Sequence, residues 1–274
     1  MIAAMLLMPE CTTQAARSAL TVWGLDVVPS LFPYMVFCRM LAEQFKKSSM
    51  PAAPAAAILG LMGGSPSGAS VIAAYGSDLS RRELLCLAAL TGTVSPMFLR
   101  NTVNTWVRDA RFCRLLLISH LLGAAFALAV VFLCTQKSGS KKKPLPPSAV
   151  QSGSVNPIVQ CVDGILGVGG CIMFFSVLAA GIGAMMPAAS PGLTALLHAV
   201  LEVAGGLHAL TGAPFSPDLR AILVAGASGF SGLSILTQNL LFLRPLGLSM
   251  RHLTALAVVR ALGAAGAMAL LQML

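Results

Sequence analysis

Glu202 is the acidic residue with the most unusual surroundings, because it lies within the apolar run Leu-Leu-His-Ala-Val-Leu-Glu-Val-Ala-Gly-Gly-Leu-His at residues 196–208. An ionisable group at membrane depth is costly and usually faces a cavity, a partner or an ion path. We therefore expect Glu202 to contact a substrate or a coupling ion. The alternative is a structural carboxyl that is protonated or paired with histidine. The spacing of His198, Glu202 and His208 differs from His-Glu-x-x-His, so no metal site is predicted.

Hydroxyl and amide side chains form two clusters, one in each half of the chain. The first contains Ser65, Ser67, Ser70, Thr91, Thr93 and Ser95, and the second contains Ser228, Ser231, Ser234, Thr237, Gln238 and Asn239. Both coincide with glycines or a proline that interrupt apolar stretches. Unwound backbone there offers carbonyls to a cation and amides to an anion. The clusters together predict a binding site, whereas each residue alone could serve helix packing.

The composition indicates which solvent surrounds these residues. Of the 274 residues, 57% are hydrophobic and 10% are charged, and the mean hydropathy is +0.84. Soluble domains carry about 25% charged residues, so this chain needs lipid around it. The net charge of +9 comes from short basic clusters between apolar stretches, which indicates contact with lipid headgroups and not with nucleic acid. The sequence shows no catalytic triad, phosphate loop or paired cysteine motif, so we expect no enzyme.

The apolar stretches predict an all-α polytopic membrane protein. Four can span a bilayer without interruption, namely residues 17–44, 112–134, 158–186 and 251–274. Residues 82–107 and 219–243 are long enough but carry small and polar residues in the middle, so we predict broken spans. Residues 51–76 and 193–213 are more heavily interrupted, and each predicts a re-entrant helical hairpin with a glycine-rich tip.

A polar, lysine- and proline-rich linker at residues 137–156 divides the chain into two repeats, residues 1–136 and 157–274. Both repeats have the order span, hairpin, broken span, span. A shift of 137 residues superposes Asp26 on Asp163, Gly92 on Gly229 and Arg114 on Arg251. Three crossings per repeat invert the second repeat relative to the first, a pattern typical of secondary transporters. Ten basic residues on the linker side against six on the other predict a cytoplasmic linker.

Four short motifs resemble a known family. They are Gly-Gly-Ser-Pro-Ser-Gly-Ala-Ser at 63–70, Thr-Gly-Thr-Val-Ser-Pro-Met-Phe-Leu at 91–99, Leu-Glu-Val-Ala-Gly-Gly at 201–206 and Ser-Gly-Phe-Ser-Gly-Leu-Ser-Ile-Leu-Thr-Gln at 228–238. Together they resemble the nucleoside-recognition, or gate, domain family, and within it the sporulation integral membrane proteins. That family is similar in architecture to concentrative nucleoside transporters, so the resemblance implies two inverted gate repeats around a central site.

The resemblance implies that eight residues line this site: Ser65, Ser67, Thr93, Ser95, Asn101, Glu202, Ser231 and Gln238. It also implies secondary transport of a small polar or anionic metabolite, with dipicolinic acid during sporulation as one candidate and a nucleoside as another. Half-helix amides and Arg100 suit dipicolinate, an aromatic dicarboxylate, although Arg100 could equally extend to the membrane interface. Glu202 opposes this anion unless it is protonated or bound to a cation such as sodium or calcium.

The remaining expectations follow from the same pattern. We expect no cofactor other than a coupling cation, either sodium or a proton. The expected partners are the lipid bilayer and a small-molecule substrate, and a homo-oligomer is left open. The expected location is the membrane of a bacterial cell, including that of a sporulating cell. A non-transporting membrane scaffold of spore assembly is the alternative function, in which the small-residue clusters serve packing alone.

Overall fold

A computed structural model describes residues 8–136, 156–186 and 190–274. Over these residues all regular secondary structure is helical. The α-helices are α1 Pro9–Val22, α2 Val28–Lys47, α3 Ala52–Gly63, α4 Ser67–Ala74, α5 Arg81–Thr91, α6 Pro96–Phe98, α7 Asn104–Val107, α8 Ala110–Cys134, α9 Pro157–Met185, α10 Pro191–Leu201, α11 Val203–Thr211, α12 Pro217–Phe230, α13 Gly232–Leu243 and α14 Met250–Leu271. A π-helical turn, Trp23–Val27, joins α1 to α2, and a second, Leu99–Val103, joins α6 to α7.

Among the described residues, five helical segments are long and apolar enough to cross a membrane, or six if the bent pair α1–α2 counts as one span. Two of the five are the predicted broken spans, which run over Arg81–Val107 and Pro217–Leu243. The predicted hairpins correspond to the short packed pairs α3–α4 and α10–α11. These elements support the predicted all-α polytopic membrane protein. Most of the predicted linker, residues 137–155, lies outside the described residues.

Several helices begin at a polar residue followed by proline. Ser95, Ser190 and Ser216 each accept a hydrogen bond from a backbone amide of the helix that follows, and Asn156 does the same for α9. Proline suits the first helical position, because its missing N–H would have no partner inside the helix. The proline at residue 96, which predicted an interruption from sequence, therefore begins the second part of its broken span.

The two broken spans are interrupted to different extents. In the first, residues 92–95 separate α5 from α6. In the second, a single residue, Ser231, separates α12 from α13 with a left-handed backbone (φ 70°). This break is much narrower than the polar string at 227–234 predicted, because Ser228 and Gly229 before it and Ser234 after it stay helical.

Hydrogen bonds connect several neighbouring helix ends, and this region is named here the Arg81 end. The Nη1 atom of Arg81 donates to the carbonyl of Gly247 at 3.1 Å. The Nη2 atom of Arg82 donates to the carbonyl of Phe132, near the end of α8, at 3.2 Å. The start of the first broken span therefore lies beside the loop that follows the second one.

The opposite set of helix ends is named the Arg220 end. Arg220 donates from Nη2 to the carbonyl of Phe215 at 2.9 Å. Gln272, just after α14, donates to the carbonyl of Asp218 at 3.4 Å. The Trp106 ring, at the end of the first broken span, packs edge-on against the His208 ring with 5.1 Å between centroids. The first broken span therefore runs from the Arg81 end to α11.

Candidate functional site

Each hairpin tip contacts the break of a broken span in the same half of the chain. A Cβ atom on Gly64, at the first tip, would lie 2.4 Å from the Cα atom of Ser95 in the first break. A Cβ atom on Gly232, just after the second break, would lie 3.1 Å from the amide nitrogen of Val203 at the second tip. Both glycines have positive φ angles, 60° and 72°. Glycine therefore permits both the turn and the close approach of tip to break.

We expect Gly64→Ala to displace the first hairpin tip from the first break. The new methyl group would overlap the backbone of Ser95, and alanine disfavours the positive φ of this position. Overpacking and backbone strain together should cost about 2–4 kcal/mol. Melting in detergent measures the effect.

Gly170→Ala is the matched control, because a Cβ atom on Gly170 in α9 meets nothing within 4 Å. The control should be neutral or slightly stabilising, since alanine favours a helix over glycine. Equal melting temperatures for the two variants would contradict the tip-to-break contact.

A cavity of about 70 Å³ lies where the hairpin tips and the breaks meet. Its polar lining comes from Ser65 at the first tip, Ser95 at the first break, Glu202 at the second tip and Gln238 in α13. The remaining wall is apolar and includes Val27, Leu31, Phe98, Val168, Ile172 and Ile235. A few polar groups set in apolar walls are typical of a small-molecule site.

Glu202 separates α10 from α11 and caps the second of these helices. Its Oε1 atom accepts from the Ala204 amide at 2.9 Å, and its Oε2 atom accepts from the Gly205 amide at 2.6 Å. The side chain is only 6% exposed. Two amide donors at a helix N-terminus suit the ionised carboxylate. Glu202 is thus a capping residue that also faces the cavity, a role that the apolar run around it did not predict.

A second cavity, of about 210 Å³, lies on the other side of Glu202. It is bordered by α1, α9 and the second hairpin, with Ser18, Ser176 and His198 in its lining. Glu202 and Ile172 line both cavities. These two residues therefore lie between this second cavity, named here the outer cavity, and the central one.

The eight predicted site residues occupy four kinds of position. Ser65, Ser95, Glu202 and Gln238 line the central cavity. Thr93 and Ser231 are buried beside it and bond to each other, with 3.1 Å between the hydroxyl oxygens. Ser67 is completely buried outside the cavity lining, and Asn101 is exposed on the π-helical turn Leu99–Val103. Arg100 is also exposed, so no basic side chain belongs to the described lining of the cavity.

A histidine that sequence analysis did not single out links the two breaks. His120, on α8, is 2% exposed. Its Nε2 atom lies 3.1 Å from Thr93 Oγ1 and 3.3 Å from the carbonyl of Val94, both in the first break. Its Nδ1 atom lies 3.1 Å from Ser228 Oγ, near the second break. One imidazole ring therefore connects both broken spans.

Arg260 on α14 binds the helix ends that precede the two breaks. Its Nη2 atom donates to the carbonyl of Gly92 at 2.8 Å, and its Nη1 atom donates to Ala88 at 3.1 Å and Ala89 at 3.3 Å. Its Nε atom donates to the carbonyl of Gly229 at 3.2 Å. The side chain is 2% exposed. A cation is favourable there because carbonyls at a helix C-terminus lack partners and carry partial negative charge.

The fold and the site together define an all-α, multi-pass membrane protein with two helical hairpins and two interrupted helices around a central cavity. Comparison with known protein families, curated proteins and solved structures found no match to this chain. Within the described residues, no group of three or more His, Cys, Asp or Glu side chains could hold a metal ion.

Proposed function

We propose that this protein is a secondary transporter of a small polar metabolite, with its substrate site in the central cavity. The observation that carries the proposal is the meeting of both hairpin tips and both breaks at one cavity lined by Glu202, Gln238 and serine hydroxyls. Interrupted helices supply exposed backbone groups and helix termini near the membrane midplane, where transporters bind substrate. The proposed location is the membrane of a bacterial cell, including a sporulating one.

The contacts at the helix ends support an inverted repeat as part of this proposal. The first broken span starts at the Arg81 end, and its last turn packs against His208. The second broken span starts beside Gln272 at the Arg220 end and is followed by Gly247 at the Arg81 end. The two spans therefore run in opposite directions, as two inverted gate repeats require.

The chemistry of the lining narrows the substrate class. Apolar walls with Phe98 accommodate a flat ring, while Gln238 and the serines offer hydrogen bonds to its substituents. Dipicolinate has a flat ring that suits the apolar walls. Its two carboxylates, however, would lie near the Glu202 carboxylate, and the described lining contains no basic side chain. A coupling cation, sodium or a proton, at Glu202 would remove that repulsion. A nucleoside is the second candidate, because its hydroxyls can donate to the Glu202 carboxylate.

The central cavity must enlarge for transport. At about 70 Å³ it is smaller than the roughly 300–1,000 Å³ of most ligand pockets. The described conformation is therefore a closed state of the proposed transporter. The outer cavity is the proposed access route, since only Glu202 and Ile172 line both spaces.

Uptake by purified protein in proteoliposomes tests the proposal. Radiolabelled dipicolinate and a radiolabelled nucleoside are supplied separately, each with an inward sodium gradient, an inward proton gradient or neither. We expect one substrate to accumulate above the level of protein-free vesicles and to be displaced by its own unlabelled form. Absence of uptake and of counterflow for both substrates would favour the alternative of a membrane scaffold.

A further inference from the structure

We propose that His120 is the proton-binding site that couples transport to a proton gradient. This inference rests on the proposed transport function and adds the identity of the coupling ion and of the residue that carries it. His120 is neither in the central cavity nor among the residues that the sequence indicated. Its imidazole lies instead between the two breaks, whose separation would open the closed state.

The hydrogen bonds around His120 fit a neutral ring in the closed state. We assign its hydrogen to Nε2, from which the ring donates to the Val94 carbonyl at 3.3 Å. The Nδ1 atom then accepts from the Ser228 hydroxyl at 3.1 Å. This tautomer is neutral and has one donor and one acceptor nitrogen, each matched to a different broken span.

A proton at Nδ1 would change this arrangement. The nitrogen would turn from acceptor into donor, and the Ser228 hydroxyl would have to point away from it. That hydroxyl has another acceptor, because the carbonyl of Ala225 lies 2.8 Å from Ser228 Oγ. The step is the simple reaction of imidazole and a proton from water to give imidazolium, with no other bond formed or broken.

The charge near His120 determines which conformation the proton favours. His120 packs among α5, α12, α14 and the first break, and the buried guanidinium of Arg260 on α14 donates to the carbonyl of Gly92 at that break. The other ionisable side chains on the elements packed against α8 are Arg81, Arg82, Glu83, Cys86, Arg100, Asp218, Arg220, Arg251 and His252. An imidazolium beside Arg260 without a carboxylate partner is unfavourable in a dry core. Protonation of His120 therefore favours separation of the breaks and entry of water.

The state of the ring can be measured without any transport assay. Protein labelled with ¹⁵N-histidine is followed by NMR, and the His120 signal is assigned by its loss in His120→Gln. We expect the His120 signal to be neutral at pH 8 and to shift reversibly towards protonated values as the pH falls from about 6.5 to about 4, because the buried ring resists protonation until the breaks separate. A His120 signal that stays neutral across this range would overturn the proposal and indicate a purely structural histidine.

Transport gives the second readout. With one proton carried per substrate, an inward gradient of one pH unit supports about tenfold accumulation, since one unit is worth 1.36 kcal/mol. We expect His120→Gln to keep counterflow of substrate but to lose this accumulation, because glutamine can still donate and accept at the breaks. His208→Asn is the matched control, since His208 is exposed and its ring packs against Trp106 at the end of the first broken span.

The outcomes separate this inference from the proposed function. Proton-driven accumulation that persists in His120→Gln, or uptake by the parent that responds to sodium alone, would overturn the role of His120. A titrating His120 in a parent protein without uptake or counterflow would instead overturn the transport function while leaving the proton site in place.

Discussion

Arg260→Met is expected to reduce the yield of folded protein severely and to lower its melting temperature in detergent. The substitution keeps an unbranched apolar stem of similar reach but removes the guanidinium. Four carbonyls, those of Ala88, Ala89, Gly92 and Gly229, then lose their charged donor. Removal of one partner from a buried charged network costs about 3–5 kcal/mol, a large fraction of the stability of a typical protein.

The reason for this large effect is the position of the carbonyls. Ala88, Ala89 and Gly92 close the first part of one broken span, and Gly229 lies in the last turn of the first part of the other. The Ala88 carbonyl also accepts from the Gly92 amide at 3.1 Å. A continuous helix would satisfy the other three carbonyls with amides of its next turn, but both helices stop here. Lipid offers no donors in exchange, so the protein must supply them. Arg260 thus stabilises both interruptions by donating hydrogen bonds to their carbonyls.

Two variants test whether the guanidinium itself is needed. Arg251→Met changes the same kind of residue on the same helix, but Arg251 is exposed in the first turn, so melting should change little. Arg260→Lys retains the charge but cannot reach carbonyls on two helices with the planar fork of arginine, so we expect an intermediate loss. A melting temperature for Arg260→Met equal to that of Arg251→Met would refute the role of Arg260.

Much of the helical framework can be predicted from sequence because its signals are local. Apolar runs of span length, a serine or asparagine before proline, and glycine-rich strings each act within a few residues. They locate the two hairpins and the two broken spans. The width of the second break cannot be predicted from such local signals. Packing alone decides which of several small residues departs from helical geometry. That residue is Ser231, which follows the glycine and phenylalanine of α12.

The site is less predictable because its partners are distant in the chain. Arg260 and His120 lie inside ordinary apolar spans, and their partners are carbonyls and hydroxyls more than 25 residues away, such as Gly92 for Arg260 and Thr93 for His120. Sequence spacing gives no signal for such contacts. Asn101 shows the opposite case, since it follows the polar string in sequence but is turned outward by the helix that begins at Pro96. A buried basic residue within a span was the available signal for Arg260.

Glu202 combines a structural role with the proposed functional one, so its test must separate charge from capping. Glu202→Gln is not neutral for folding, because glutamine has one side-chain acceptor oxygen for the two amides of Ala204 and Gly205. Its NH₂ group would face one of these donors. We expect a loss of about 1–2 kcal/mol of stability from the weakened cap alone. A fall in uptake by this variant would therefore not identify the charge as the cause.

Glu202→Asn and Glu202→Asp together make the distinction. Asparagine and aspartate are both preferred helix caps, so both variants should fold, and their melting temperatures show how much of the cap each retains. Only aspartate keeps the negative charge at the central cavity. If the carboxylate contacts the substrate or a coupling cation, Glu202→Asn should lose uptake roughly ten- to a hundredfold, as expected for a charged contact of about 1.5–3 kcal/mol, while Glu202→Asp retains a substantial part. Equal uptake by the two variants and the parent would assign Glu202 to capping alone and place the substrate contacts on Gln238 and the serines.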